Sequence, residues 1–391
     1  MIRVEDATAR LLSLVTPMPV EEVALADAMG RVLARPIAAR HAQPPFAASA
    51  MDGYAVTQPD SAPGDSFRVI GEAAAGRPFT GAVRAGEAVR IFTGAVVPEG
   101  ASRVIIQEDV TRDGDRITLG DAPDPSRYIR PAGGDFEAGF ILEPRRLGSR
   151  DIALAASMGH GVLPCAKRPD VTILMTGDEL SAPGRDLAPG EIVASNGYGL
   201  AAMLGAHGAI PRILPFARDT PESLATAFDL ARGADLIVTI GGASVGDHDL
   251  IAQTAGTAGL DLAFHKVAMR PGKPLLAGRL NNSTLIGLPG NPVSAMVCGV
   301  IFILPTIRLM LGLDPTMRTI ERRLAGPIQE NGPRQHYMRA RDLGDGTCAV
   351  DLRQDSSLLG VLARSDILVL RPPGDPARAA GDVVTAIPFP H

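Results

Sequence analysis

The chain has no tryptophan and only three cysteines, and aromatic residues make up 4% of its 391 residues. Cys165, Cys298 and Cys348 lie far apart and form no C-x-x-C pair, which excludes a disulfide framework and a thiolate zinc site. The longest uncharged apolar stretch, 293–307, is shorter than the ~20 residues that a membrane-spanning helix needs. We predict that this stretch is a buried helix.

An excess of charge of one sign is also missing. The net charge is -5 with 21% charged residues, so no overall field directs the protein to nucleic acid or to an anionic membrane. The N-terminus carries Glu5 and Asp6 where a secretory signal has basic residues followed by an apolar stretch. With so few cysteines, we expect a cytoplasmic protein that binds neither nucleic acid nor membrane.

A chain of this length is expected to form several domains. Apolar residues at helical spacing predict two helices in residues 1–40, separated by Thr16-Pro17-Met18-Pro19, and a further helix near 149–157. Short β-like runs between Gly/Pro turns fill 41–140. We therefore predict a helical domain, 1–40 and 141–167, that is split by a β-rich insertion domain, 41–140.

Strands and helices alternate in the next part of the chain, 168–318. This alternation predicts a doubly wound α/β domain, that is, a parallel sheet with helices on both faces. Short strands return in 319–391 and predict a small C-terminal β-domain. The predicted fold class is thus multidomain α/β plus β.

Ligands of open α/β sheets gather beyond the carboxyl ends of the strands. The first predicted strand end carries Thr176-Gly177-Asp178-Glu179, with two adjacent carboxylates. The second carries Gly241-Gly242-Ala243-Ser244, a turn that exposes backbone N–H groups, followed by Asp249. The third carries Pro289-Gly290-Asn291-Pro292 and then Ser294, at the start of a helix whose dipole favours an anion.

Three cations precede the third turn: Lys266, Arg270 and Lys273. Cations hold oxyanions, and carboxylates hold a hard metal such as Mg²⁺, so the turns together indicate a nucleotide-like phosphorylated ligand. Neither the G-x-G-x-x-G spacing nor a P-loop is present. By itself, the glycine turn is as typical of a tight connection as of a binding loop.

Polar turns outside the α/β domain carry Asp52, Thr93 and Asp135. Taken alone, Asp52 in Ser49–Val56 is more typical of a turn residue than of a catalyst. The local sequence alone therefore assigns no function to these three residues, and a function can be predicted for them only from the motifs of the whole chain.

That pattern resembles the molybdopterin molybdenumtransferases, the family that includes bacterial molybdenum insertases and the E domain of gephyrin. The resemblance covers essentially the whole chain, and its motifs stand in the family's order: Ser49–Val56, Phe92–Ala95, Thr176–Leu180, Gly241–Gly246 with Asp249, Pro271–Pro274 and Gly287–Ser294. It implies a split helical domain, a β-rich domain, an α/β domain shared with molybdopterin adenylyltransferases, and a C-terminal barrel-like domain.

The resemblance also implies an activity. Family members insert molybdenum from molybdate into adenylyl-molybdopterin and release AMP, with Mg²⁺ present. They are homodimers with shared active sites, in which Asp52, Thr93 and Asp135 would complete the partner's site. Transient contacts with molybdopterin adenylyltransferase and apo-molybdoenzymes are expected.

Residue roles follow from the same resemblance. The catalytic set would be Asp52, Thr93, Asp135, Glu179 and Asp249. The Mg²⁺ ligands would be Glu179, Asp219 and Asp249. The substrate-binding set would be Asp178, Gly241, Gly242, Ser244, Lys266, Arg270, Lys273, Pro289, Gly290, Asn291, Pro292, Ser294, Arg339 and Ser356. Asp52 and Asp249 are the candidates for a base.

Two other functions are compatible with parts of the sequence. The α/β domain alone resembles enzymes that adenylylate molybdopterin, and the family's architecture also serves as a non-enzymatic cofactor carrier or scaffold. The chain departs from the family at Arg270, where lysine is frequent. The planar guanidinium keeps the positive charge but presents a different geometry to an oxyanion.

Overall fold

The computed structural model describes residues 1–242 and 250–390. The chain forms two compact units. The large unit consists of residues 1–21, 30–34 and 165–391, and the small unit of residues 22–29 and 35–164.

The helices are α1 Val4–Leu12, α2 Ser149–Ser157, α3 Asn196–Ala206, α4 Pro221–Leu230, α5 Leu250–Thr257, α6 Pro292–Cys298, α7 Leu304–Met310 and α8 Leu359–Leu362. The strands up to the end of α2 are β1 Val20–Ala24, β2 Ile37–Ala38, β3 Ala48–Ser49, β4 Gly53–Val56, β5 Ser66–Ala73, β6 Glu87–Ile91, β7 Arg103–Ile106, β8 Val110–Asp113, β9 Arg116–Leu119, β10 Ile129–Arg130 and β11 Ile141–Leu142. Those that follow are β12 Val162–Ala166, β13 Asp170–Met175, β14 Leu180–Ser181, β15 Ile192–Val193, β16 Ile210–Ile213, β17 Leu236–Ile240, β18 Leu260–His265, β19 Met269–Arg270, β20 Leu276–Leu280 and β21 Ser283–Leu288. The last are β22 Ile320–Leu324, β23 Gln335–Asp342, β24 Thr347–Val350, β25 Ile367–Arg371 and β26 Val383–Pro388.

The small unit is built on a six-stranded sheet of order β7-β4-β6-β5-β9-β8. Successive side chains of a strand point to opposite faces, and both faces of this sheet are covered. Tyr54 and Val56 of β4 join one buried apolar cluster, and Ala55 joins another. The predicted β-rich insertion is confirmed.

The prediction of a second helix before residue 34 is wrong. The structure has strand β1 and a single 3-10 turn, Leu25–Asp27, in its place. Met29, which completes the helical spacing of apolar residues, is 62% exposed. The pattern that predicted a helix therefore does not describe one buried face.

The large unit contains a six-stranded sheet of order β16-β13-β17-β21-β20-β18. The first four strands are parallel, as predicted, whereas β20 pairs antiparallel with both of its neighbours, β21 and β18. Ile173 packs in the cluster that contains α1, α3 and α6, and the next residue, Leu174, packs with α4 and α5. Helices thus cover both faces, and the doubly wound α/β domain is confirmed with an antiparallel edge that was not predicted.

The segment Pro292–Met310 is helical throughout, with a π-helical turn at Gly299–Ile303 between α6 and α7. Pro305 lacks an N–H group and cannot donate to the preceding turn of an α-helix, which is a usual setting for such a bulge. By length and composition the segment resembles a membrane span, but 83% of its most apolar window is buried inside the protein. It is a core helix, as predicted.

The C-terminal strands close into a barrel. The order β23-β24-β22-β26-β25 is completed by antiparallel pairing of β23 with β25. The short strand β19 adds to β23 in parallel, with Arg270 opposite His336. The segment that carries the predicted cations is thereby attached to the barrel.

Candidate functional site

Three strand ends of the large unit lie side by side. Met175 is paired with Ile240, and Ile240 is paired with Leu288, so the strands end in register. The amide of Thr176 donates to the carbonyl of Ile240 at 2.9 Å. The amide of Gly241 donates to the carbonyl of Leu288 at 3.2 Å. The three predicted turns therefore start from one edge of the sheet.

A cavity of about 510 Å³ opens at this edge. Its walls include predicted site residues from all three turns, together with Asp219: Glu179, Asp219, Gly241, Gly242, Pro289, Gly290, Asn291 and Pro292. These eight residues thus line one concave pocket of the size that small ligands occupy.

The backbone conformation of the turn after β17 requires glycine at positions 241 and 242. Gly241 and Gly242 have φ of 93° and 62°, in the left-handed region that favours glycine. A Cβ on Gly241 would lie 2.4 Å from the carbonyl oxygen of Thr176, and one on Gly242 would lie 2.7 Å from Cγ1 of Ile251. Small residues therefore let two turns approach closely at the floor of the pocket.

Carboxylates gather on one side of the pocket. Burial raises the pKa of Asp219, and the negative charges of Glu179 and Asp178 raise it further. Because like charges reinforce the shift, these acids sit close enough to repel one another. A bound cation would relieve this repulsion.

The proline-rich turn is held from two sides. The side-chain amide of Asn196, in the first turn of α3, donates to the carbonyl of Gly290 at 2.6 Å. On the other side, the amide of Asn291 donates to Oγ of Ser356 at 3.0 Å, and the backbone N–H of Val293 donates to the Ser356 carbonyl at 3.1 Å. Ser356 therefore anchors the barrel loop 353–358 to the start of α6.

Arg339 is buried, with 1% of its surface exposed, and its guanidinium is occupied by that same loop. It donates to Oε1 of Gln354 at 3.2 Å, and to the carbonyls of Asp355 at 2.8 Å and Arg353 at 3.2 Å. Its predicted place in the substrate-binding set stays a prediction, but its contacts describe a residue that positions the loop.

The predicted cations do not share one location. Pro274, which follows Lys273, lines the strand-end pocket. Arg270 is exposed and lines a different cavity, beside the barrel. Lys266 is half-buried, and Ser294 is buried in the first turn of α6.

In the small unit, Asp52 and Thr93 form one hydrogen-bonded pair. The backbone N–H and the hydroxyl of Thr93 both donate to Oδ1 of Asp52 at 2.7 Å. These two bonds, with the nearby charge of Arg90, lower the pKa of Asp52. A carboxylate stabilised in this way is a weaker base than an ordinary aspartate, which argues for a binding or orienting role.

Asp135 lines a second depression of the small unit, with a volume of about 610 Å³. Its neighbours in that wall include Gly94, which follows Thr93, and Arg130. Asp135 therefore shares this depression with the residue that follows Thr93 in the chain.

Ser244 and Asp249 lie outside the described residues. Within residues 1–242 and 250–390, no three or more His, Cys, Asp or Glu side chains are grouped to hold a metal ion. The Mg²⁺ ligand set that includes Asp249 stays a prediction.

Several pocket residues were missed by the sequence reasoning. Ser195 and Asn196 reach the wall from the start of α3, and Ser357 reaches it from the barrel loop. The Ser-Asn pair at the start of α3 is a recognisable signal, because such residues favour helix starts. Nothing local in the sequence places Ser357 beside a pocket more than sixty residues away in the chain.

Fold and pocket together define a class: a multidomain protein whose doubly wound α/β domain presents a ligand pocket at its strand ends, next to a β-barrel. Family models match in the same order: the MoeA N-terminal region (domain I and II) over residues 2–159, a probable molybdopterin binding domain over 172–309, and the MoeA C-terminal region (domain IV) over 321–389.

Curated relatives agree with these matches. The chain is 33% identical to a molybdopterin molybdenumtransferase of Nostoc, over 95% of this chain and 89% of that protein. It is 35% identical to one of Haemophilus influenzae, over 80% and 78% of the two chains. The crystal structure of the molybdopterin biosynthesis MoeA protein from Pyrococcus horikosii is 28% identical, covers both chains completely and has a TM-score of 0.88. The chain belongs to the molybdopterin molybdenumtransferase family.

Proposed function

We propose that this protein inserts molybdenum from molybdate into the dithiolene of adenylyl-molybdopterin and releases AMP. The main observation that supports this proposal is that three strand-end turns line one cavity of about 510 Å³. The family's activity comes from the relatives, and the pocket supports it with carboxylates on one side and backbone groups of two glycines on the other.

Mg²⁺ is the metal that we propose for the adenylyl phosphates. Glu179 and Asp219 offer the hard oxygen ligands that Mg²⁺ prefers, and the pKa of Asp219 is raised by desolvation and, to a smaller extent, by the charges of Glu179 and Asp178. These two residues would hold the ion, with Asp249 as a third ligand. When bound, it would supply positive charge to the phosphoanhydride oxygens.

The chain's own groups would bind and orient the substrate. Gly241 and Gly242 leave room for a phosphate to approach the backbone, and Pro289–Pro292 form a wall that Asn196 and Ser356 hold in place. Lys266, Arg270 and Lys273 would offset the charge of molybdate as it nears an anionic dithiolene. Positioning and electrostatics thus carry most of the reaction.

We also propose that the active enzyme is a cytoplasmic homodimer with shared sites. Asp52 and Thr93 are hydrogen-bonded in the small unit, the two bonds lower the pKa of Asp52, and Asp135 lines a depression with Gly94, the residue after Thr93. Such a surface suits completion of the partner's pocket. Adenylyl-molybdopterin would arrive from molybdopterin adenylyltransferase, and the product would pass to apo-molybdoenzymes.

The test is a defined assay with adenylyl-molybdopterin, Mg²⁺ and molybdate, which follows AMP release and activation of an apo-molybdoenzyme. We expect molybdate-dependent activation that Glu179→Gln abolishes. Asp186→Asn is the matched control, because Asp186 is an exposed acid of the same connecting segment. Synthesis of adenylyl-molybdopterin from ATP would support the adenylyltransferase alternative, and tight pterin binding without either activity would support a carrier.

A further inference from the structure

A second cavity of the large unit, here called the side cavity, lies next to the strand-end pocket. Its volume is about 300 Å³. Ser195 and Asn196, at the start of α3, line both cavities, so the two are adjacent and one elongated ligand can occupy both. The other lining residues come from α3, α6, the α8 segment and the barrel: Gly199, Met296, Leu359, Leu362, Ala363, Ser365, Asp366 and Phe389. The proposed function has so far given this cavity no role.

The walls of the side cavity are largely apolar. Met296 of α6 and Phe389, which follows β26, are both half-buried in this wall. Gly199 leaves space for Met296, because a Cβ at position 199 would lie 3.1 Å from the Met296 sulfur. Thioether and aromatic side chains make favourable contacts with aromatic rings. The cavity therefore suits a flat ring system.

Asp366 is the acid of this wall, and part of its carboxylate is available to a ligand. Its Oδ2 accepts from the backbone N–H of Asp342 at 3.1 Å. The backbone N–H of Phe389 donates to the Asp366 carbonyl at 2.7 Å, which fixes the aromatic residue beside the acid. Among the described residues, Oδ1 of Asp366 accepts no hydrogen bond and the carboxylate forms no ion pair. Since a carboxylate can accept about four hydrogen bonds, Asp366 has capacity for ligand donors.

Adenylyl-molybdopterin carries two ring systems, adenine and pterin, on either side of a phosphoanhydride. The pyrimidine edge of a pterin presents an amino group beside a ring N–H, and these two donors match a carboxylate. Adenine presents its amino group beside a ring nitrogen that only accepts, and a carboxylate would face that lone pair with another. Asp366 therefore favours the pterin over the adenine.

We propose that the side cavity holds the pterin ring of adenylyl-molybdopterin, with the two donors of its pyrimidine edge bound to Asp366 and its face against Met296 and Phe389. The adenylyl group then lies in the strand-end pocket, next to the carboxylates and the glycine turn. This inference rests on the proposed function, because it locates one half of that substrate. Asp366 is then a specificity-determining residue that takes no part in metal insertion.

Fluorescence titration of the full-length protein with 6-hydroxymethylpterin, with and without saturating AMP, tests the location of the ring. This pterin has no phosphate or dithiolene, so its affinity reports on the ring alone. We expect it to bind equally well in the presence of AMP, because the two ligands occupy different cavities.

Two variants test the residues of the side cavity. Asp366→Asn keeps an acceptor for the Asp342 N–H but loses the charge, and should weaken pterin binding about tenfold or more while the affinity for AMP is unchanged. Ala363→Phe should abolish pterin binding, because Ala363 is an exposed residue of the wall and a larger side chain fills the cavity. Asp345→Asn is the matched control, since Asp345 is a barrel acid that also accepts from a backbone N–H and lines neither cavity.

Thermal melts of the variants separate misfolding from loss of the site. Displacement of the pterin by AMP, absence of pterin binding, or equal pterin affinity in wild type and in a folded Asp366→Asn protein would overturn the inference. Molybdenum insertion by a protein whose pterin affinity is independent of Asp366 sinks this inference alone. Pterin binding that depends on Asp366, without insertion activity, sinks the proposed function alone.

Discussion

Single residues of this chain show how local surroundings set the charge of a carboxyl group. Asp52 accepts two hydrogen bonds from Thr93, which lower its pKa. The Asp219 residue is exposed as a whole, but partial desolvation of its carboxyl group, and then the charges of Glu179 and Asp178, raise its pKa. The protein's own donors therefore stabilise the charge on Asp52, whereas the surroundings of Asp219 disfavour its charge, and a nearby cation would lower the pKa of Asp219 again.

The buried ring of His336 predicts a dependence of stability on pH. Its pKa is about 4 in the folded protein and near 6.5 when unfolded, so between these values the unfolded state binds a proton that the folded state does not. The stabilisation is complete above the unfolded pKa and is lost as pH falls towards 4. In a buffer free of oxyanions, the free energy of unfolding should fall by about 2 kcal/mol more between about pH 7.5 and pH 5 than it does in His336→Gln.

Urea denaturation at the two pH values measures this difference. His207→Gln controls for the loss of any histidine. The same pH dependence in wild type and in His336→Gln would contradict a ring that is neutral in the folded state.

At the scale of elements, the glycine turn after β17 predicts an asymmetry between two substitutions. Gly241→Ala places a Cβ 2.4 Å from a backbone oxygen at positive φ and should cost about 1–3 kcal/mol of stability. Gly256→Ala, in α5, meets open space and should stabilise by up to about 1 kcal/mol. Thermal denaturation compares the two, and equal effects would contradict the close approach of the turns.

The contacts of Arg339 predict that a substitution of this residue loosens the barrel loop 353–358. Lysine cannot reproduce its fork of donors, so Arg339→Lys should leave loop carbonyls unpaired and speed hydrogen exchange within the loop. Arg341→Lys, at an exposed position of the same strand, is the matched control. Unchanged exchange in Arg339→Lys would favour the direct substrate contact that the sequence predicted.

The sequence predicts helices and strands well where the spacing of apolar residues matches the pattern of buried residues. Strands β13, β17 and β21 are short, mostly apolar runs inside the segment 168–318 for which alternating strands and helices are predicted. In residues 20–33 the apolar residues have helical spacing but do not form one buried face, so this spacing led to the wrong prediction of a helix. The hairpin of β20 and β21 was missed, although its two-residue loop begins at Asn281, whose positive φ of 54° suits asparagine.

For the whole molecule, the order of domains and the strand-end turns could be predicted, because motifs mark them locally. The contributions of Asn196 and Ser357 to the strand-end pocket could not, since each depends on which distant segment packs beside it. The number of cavities is likewise a property of the folded chain. The sequence thus predicts the residues of each local motif, but it does not predict which distant segments meet at the site.

The shared-site dimer predicts complementation between inactive variants. Asp52→Ala and Glu179→Ala should each be inactive, because each disables both sites of a homodimer. After subunit exchange in an equal mixture, about half of the dimers are mixed and each has one intact site, which gives about a quarter of wild-type activity. The molybdenum insertion assay measures this recovery. No recovery despite proven exchange would place Asp52 in the same site as Glu179 of its own chain.

The most direct measurement of the central claim is the amount of molybdenum bound to pterin per AMP released, determined after separation of the reaction mixture. The account predicts that the two rise together when molybdate is added, and that both are lost in Glu179→Gln but kept in Asp186→Asn. AMP released without metal on the pterin, or metal inserted equally well by Glu179→Gln, would contradict it.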